Sequence, residues 1–264
     1  MTRHHVSMTL NPPGQYDDDR NLRARQRFWE HQDPYLDTAT WVLGLLDLAP
    51  GMPVLDAGCG NGVYLRALAG RKVRAAGCDL SAGMLRKAGH PAVACADVAA
   101  LPLRDGAFDV VLAIHMLYHV PDRDAAVREL RRVLASGGVC VAVTNGAREL
   151  LSLRRLTEQA VSQVTPGWRM VRATHAFTAE NAAAQLGAAF SSVTCVRPAS
   201  MPPVVIRDPA LAADFVASWA TFYQHETARP WADVVADVRA RVQAIIDREG
   251  AFITSGDLAA FICR

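Results

Sequence analysis

Lysine is almost absent: Lys72 and Lys87 are the only two among 28 basic residues, and arginine supplies the rest. Together with abundant alanine, that skew reads as the codon usage of a GC-rich genome, so the arginines are not taken as phosphate contacts. A run at Arg20, Arg23, Arg25 and Arg27 is expected to be the solvated face of a helix. Excess charge of one sign is also missing. The 28 basic and 26 acidic residues leave a net charge of +2, which indicates no polyanionic partner and hence no nucleic acid. The six cysteines, at 59, 78, 95, 140, 195 and 263, never form a Cys-x-x-Cys pair. Several sit in apolar runs as small hydrophobes, so neither a metal site nor a disulfide frame is expected, and a reducing cytoplasm is the natural setting. His4 and His5 are too few for a metal-binding tract. No apolar stretch approaches the ~20 residues a membrane helix needs, and no apolar leader follows the start, so neither membrane insertion nor secretion is expected.

What is present is the material for one large α/β domain or one domain with an insertion: 264 residues, half of them hydrophobic and a fifth charged. Residues 1–20 are polar and broken by Pro12-Pro13-Gly14, which predicts that the extreme N-terminus is mobile unless a ligand orders it. Helical patterns follow near 21–32 and 35–47, and Pro50-Gly51 punctuates the entry to a first strand. Strands are then expected at 53–57, 73–78, 92–96, 108–114 and 138–144, with helices at 62–70, 81–89 and 123–135. Asp122 suits the cap of the last helix, with Val127, Leu130, Val133 and Leu134 on one face. Uninterrupted apolar runs such as Val110-Val111-Leu112-Ala113-Ile114 fit strands buried on both faces, and the alternation argues for βαβ units. Beyond 145 the regularity stops. Helices are expected at 148–164 and 179–189, a strand near 192–197, a helical insertion at 201–250, and a closing strand at Leu258–Cys263. The domain reading is therefore an N-terminal arm with helices (1–49), a core (50–200), a helical cap (201–250) and a final core strand (251–264).

One stretch narrows the function most. Val54-Leu55-Asp56-Ala57-Gly58-Cys59-Gly60-Asn61-Gly62 reads as a strand, a tight glycine turn and a helix start, where backbone approaches a ligand closely and helix N–H groups face it. The dinucleotide fingerprint requires a third glycine where Val63 stands, so that motif fails. An acid just before the turn suits a ligand bearing ammonium and sulfonium groups better than a pyrophosphate. Asp79, 21 positions after Gly58, closes the second strand where doubly wound folds set an acid against ribose hydroxyls. Asp97 follows the third.

Asp56-x-Gly58-x-Gly60-x-Gly62 resembles motif I of the class I S-adenosylmethionine (SAM)-dependent methyltransferases. The stretch from Ala96 to Val120, with Phe108-Asp109-Val110-Val111, His119-Val120-Pro121-Asp122 and then Gly137-Gly138-Val139, resembles the type 11 members. The resemblance covers about residues 50–145 and implies a doubly wound, mostly parallel seven-stranded Rossmann-like sheet with SAM as cofactor and S-adenosylhomocysteine (SAH) as product. It implies that Asp56, Gly58, Cys59, Gly60 and Gly62 hold the methionine end, Asp79 the ribose, and Asp97 and Val98 the adenine, with Leu80, Met84 and His115 completing the site. Tyr16 resembles N-terminal tyrosines that fold over the donor in related enzymes.

A methyl acceptor on oxygen or nitrogen can also require a base. His115 and His119, four apart at the carboxyl end of the fourth strand, are the candidates, and a purely structural role for them stays open. The signature of many nucleic-acid amino methyltransferases is absent there. Trp219, Phe222, Tyr223, His225 and Trp231 either wall an apolar acceptor pocket or form the cap's own core. The expectation is a cytoplasmic, metal-free methyltransferase for a small-molecule acceptor in biosynthetic tailoring. A homodimer is left open. The alternative is a SAM- or SAH-binding protein of this fold that catalyses a non-methylating reaction or acts without turnover.

Overall fold

The computed structural model describes residues 12–264. The expected mobile arm is described only in part, since residues 1–11, including His4 and His5, lie outside the described residues. The elements in chain order begin with α1 (Arg20–Trp29), α2 (Thr38–Leu43), β1 (Pro53–Ala57), α3 (Val63–Ala69), β2 (Arg74–Asp79), α4 (Ala82–Ala88) and β3 (Val93–Cys95). Next come β4 (Phe108–Ile114), α5 (Arg123–Val133), β5 (Leu134–Asn145), α6 (Leu151–Ser162), α7 (Ala182–Leu186) and β6 (Val193–Val196). The chain continues through β7 (Pro203–Ile206), α8 (Pro209–Ala217), α9 (Ala220–Tyr223) and α10 (Trp231–Glu249), and closes with β8 (Phe252–Ser255) and β9 (Leu258–Cys263).

Seven strands form one sheet in the order β3-β2-β1-β4-β5-β9-β6. The neighbours from β3 to β5 run parallel, whereas β9 pairs antiparallel with both β5 and β6. Burial on both faces is the reason the strands read as unbroken apolar runs. Val54, Val110, Leu112, Val141 and Val143 join Val42, Leu43 and Leu68 on one face. Their strand neighbours Leu55, Val111, Ala113 and Ala142 join Val127, Leu130 and Leu186 on the other. Helix starts follow capping chemistry: Ser81 accepts from the Met84 amide at 3.1 Å, and Asp122 from Ala125 at 2.9 Å.

A second apolar core is the cap's own. It gathers Phe28 from α1, Leu153 and Val161 from α6, Phe215 and Val216 from α8, and Trp231, Val234, Val238 and Val242 from α10. The insertion is not wholly helical. β7 pairs antiparallel with β8, and the residues after α1 extend that ribbon through a bridge between Gln32 and Val204. The segment is too short, and too flanked by proline, to read as a strand from sequence. No described helix is long and apolar enough to cross a membrane, and no described group of His, Cys, Asp and Glu could hold a metal ion.

Candidate cofactor and acceptor site

Between sheet and cap lies a cavity of about 890 Å³, near the upper end of the roughly 300–1,000 Å³ usual for small-molecule sites. It opens above the carboxyl ends of the parallel strands, where doubly wound sheets bind ligands. β1 delivers Asp56 to its floor, 1 % exposed. Burial first, and the nearby Asp79 second, push the Asp56 carboxyl up to about 7. One of its oxygens, Oδ2, is buried without a hydrogen-bond partner among the described residues.

The turn after Asp56 depends on glycine for separate reasons. The Gly58 and Cys59 amides both donate to the Cys78 carbonyl, at 2.8 and 2.9 Å, which ties the loop to β2. Gly60 has φ +53° and donates its amide to Asp79 Oδ2 at 2.8 Å. The Asp79 Oδ1 atom accepts from the Ser81 amide at 2.8 Å. Burial still raises the Asp79 carboxyl overall. A carboxylate has about four acceptor positions, so two remain for a diol.

Of the residues the sequence singled out, Tyr16, Asp56, Gly58, Cys59, Gly60, Asp79, Leu80, Met84, Asp97, Val98, His115 and His119 all line the cavity. Gly62 does not. It has φ +81°, and a Cβ there would sit 2.6 Å from the Ala88 carbonyl, so it serves close packing of α3 against α4 rather than the ligand. Cys59 lines the wall only in part, because its thiol packs on Gly77 and in a small core with Leu65 and Ala88. Leu80 is 60 % exposed and Val98 is buried, and both line the cavity with apolar surface. Asp97 caps the following turn, accepting from Ala99 at 2.9 Å through Oδ1.

His115 directly follows β4 in a left-handed conformation, φ +54°, and burial holds its imidazole down to about 4. His119 differs. Its Nε2 lies 2.8 Å from the Tyr16 hydroxyl, and its ring stacks on Phe222 at 6.3 Å. The Tyr16 carbonyl accepts from Ser81 Oγ at 2.6 Å. Gln15 donates to the Ser218 carbonyl at 3.3 Å and accepts from Thr221 Oγ1. Residues 15–18 are thus a strap joining sheet and cap across the mouth.

Arg25 corrects the expected solvated arginine face. It turns inward, bonding Ser218 Oγ at 3.0 Å and lying 5.8 Å from the Tyr16 ring centre, while Arg20, Arg23 and Arg27 stay outside on Asp18, Asp19 and Asp214. Trp219, Phe222 and Tyr223 both line the cavity and belong to the cap core. Trp231 is a core residue with its indole N–H on the Val216 carbonyl at 3.0 Å, and His225 is exposed. Sequence reasoning missed Asn145, Glu149, Arg154, Arg172 and Thr174, which line the side beyond β5. The rule that loops at the carboxyl edge bind ligands could have singled out the segment after β5, though not these residues.

A mostly parallel doubly wound sheet with Asp56 and a glycine turn closing β1, Asp79 ending β2 and Asp97 following β3 is the class I SAM-dependent methyltransferase fold. Residues 55–142 match the model of a methyltransferase domain family. A 27-O-demethylrifamycin SV methyltransferase of Amycolatopsis mediterranei is 34% identical over 127 residues, 42% of this chain and 47% of that protein. A demethylmenaquinone methyltransferase of Corynebacterium urealyticum is 42% identical over 95 residues, 35% of this chain and 41% of that protein. The chain thus spans about half the length or less of these relatives. Among solved structures, a putative methyltransferase from an antibiotic biosynthesis pathway of Anabaena variabilis superposes with TM-score 0.64 at 18% identity. That superposition covers 86% of this chain and 96% of that one.

The family's donor is SAM, and the residues present fit it. The unpartnered Asp56 oxygen, in a carboxyl that stays half protonated near neutrality, calls for a cationic partner. The spare acceptor positions of Asp79 suit a ribose diol, and Leu80 with Val98 offers apolar walls for a planar base.

Proposed function

We propose that the protein transfers a methyl group from SAM to a small-molecule acceptor in biosynthetic tailoring. The Asp56 Oδ2 atom, buried without a hydrogen-bond partner among the described residues beside the Gly58–Gly60 turn, carries this reading. The rifamycin-type relative and the near-balanced net charge support a small acceptor rather than a nucleic acid. Asp56 and the Gly58–Gly60 turn would hold the methionine end, Asp79 the ribose, and Asp97 with Leu80 and Val98 the adenine. Bound there, the donor supplies an electrophilic methyl on sulfur, and the protein's main task is alignment.

The two histidines separate by environment. His115, held neutral by burial, adds no repulsive charge beside a sulfonium, and a base near 4 is poorly matched to neutral pH. His119 is the better candidate base, at the boundary of sheet and cap, with Tyr16 orienting its ring through Nε2. The strap and the cap aromatics keep water from the transfer path.

The test is incubation with SAM and a panel of small hydroxylated or aminated acceptors, read by mass gain of one methyl and formation of SAH. Activity that survives replacement of SAM by SAH would favour the non-methylating alternative instead.

A further inference from the structure

The donor residues proposed above run along the sheet from Asp97 after β3, through Asp79 at the end of β2 and Asp56 near the end of β1, to His115 after β4. The next strand in spatial order, β5, leads into a different group. Asn145, Glu149, Arg154, Arg172 and Thr174 meet there, on the same cavity. Arg172 is 12 % exposed, bonds the Gly146 carbonyl at 2.6 Å and stands 3.9 Å from Glu149 Oε2. Arg154 bonds the Ala147 carbonyl at 2.8 Å, yet its Nε is buried without a partner among the described residues, as is Thr174 Oγ1.

Burial foremost, and then the Arg172 charge, push the Arg154 guanidinium down. Two guanidinium groups therefore share one half-buried wall of the cavity. The nearest carboxyl does not neutralise both, since burial pushes Glu149 up to about 7 even with Arg172 and Arg154 beside it. Asp257 is engaged by Arg197 at 2.5 Å, and Glu158 accepts from the Met170 amide at 3.0 Å. Met170, Trp219 and Tyr223 supply an apolar wall to the same chamber. The residue next to Glu149, Leu150, is held at φ +47°, a strained conformation that fixes where α6 and Arg154 begin.

We propose that Arg154 and Arg172, with Thr174, form an acceptor subsite for a carboxylate attached to an apolar body. This rests on the methyltransferase reading only for the word acceptor. A planar carboxylate matches a guanidinium fork in two-point contact, and a single negative charge suits a chamber that already holds Glu149 better than a phosphate dianion does. The protonated form of Glu149 can then donate to the bound anion.

The test uses 3-phenylpropionate, its amide and phenyl phosphate as probes, titrated by ligand-observed NMR with and without SAH. SAH affinity is measured in parallel by calorimetry. The wild-type protein should bind the carboxylate at least tenfold more tightly than the amide. Arg172→Gln and Arg154→Gln should each reduce that ratio below twofold while SAH affinity stays within twofold of wild type. Equal binding of carboxylate and amide by the wild-type protein overturns the proposal even if a variant fails to fold. So does a preference that persists in both variants, or tighter binding of phenyl phosphate. SAH that fails to bind while the preference holds supports the subsite and counts against the donor reading alone.

Discussion

Asp56 and Asp79 approach each other on the floor of the crevice, and each is raised by burial, with Asp56 raised further by Asp79. A carboxyl whose folded-state value lies above its unfolded value of 3.8 binds more protons folded than unfolded between the two. Its contribution is fully present below 3.8 and is lost as pH rises through about 7. Glu149, raised to about 7, acts in the same sense, while His115, held down to about 4, opposes them only up to its unfolded value of 6.5 and so offsets part of the loss. The ligand-free protein should therefore lose stability from pH 5 to pH 8, seen as a falling urea midpoint, and Asp56→Asn should flatten the slope. A midpoint that rises over that window would contradict the assignment. Capture of a cation should ionise Asp56 and release a proton, so calorimetric heats for the donor at pH 6 should depend on the ionisation enthalpy of the buffer. Asp79→Ala should weaken SAH binding more than tenfold, or about 1.4 kcal/mol, and unchanged affinity would remove Asp79 from the site. Glycines of one motif should also part company. Gly62→Ala drives a Cβ into the Ala88 backbone and should cost about 2 kcal/mol or more, whereas at Gly60 the nearest atom is 3.7 Å away and only the backbone strain of about 1 kcal/mol remains.

Among the elements, the strap and α1 connect the two cores. A side chain at Gly83 would collide with the Asp17 carbonyl, so Gly83→Ala should lift residues 15–18 from α4. Deuterium uptake in those residues should rise while amides of β1 and β4 keep their protection, and unchanged uptake would show that the strap is not seated through Gly83. Phe28 is fully buried and packs at 4.7 Å on Phe215. Phe28→Ala should cost about 3–5 kcal/mol. The sequence made β1 and β4 readable because strands buried on both faces become solid apolar runs, and made α5 readable through Asp122 and its Leu130 face. It could not show what covers a helix. The apolar stripe of α6 reads the same whether it meets the sheet or, as here, α10 and the cap core. The antiparallel pairing of β9 with β5 is a contact between residues more than a hundred positions apart, which no local pattern encodes.

Over the whole molecule, the site exists only where the sheet's carboxyl edge meets the cap. The proposed donor half could be drawn from the sequence because a short run, Asp56 to Gly62, carries the acid and the turn together. The half beyond β5 could not be, because Glu149, Arg154, Arg172 and Thr174 are scattered single residues that only the fold brings to one wall. The most direct measurement of the central claim is a crystal structure of this chain grown with SAH. The account predicts adenosyl density across the Gly58–Gly60 turn, with both ribose hydroxyls on Asp79 and the amino group near Asp56. An empty crevice, or a nicotinamide or phosphate ligand in it, would contradict the account.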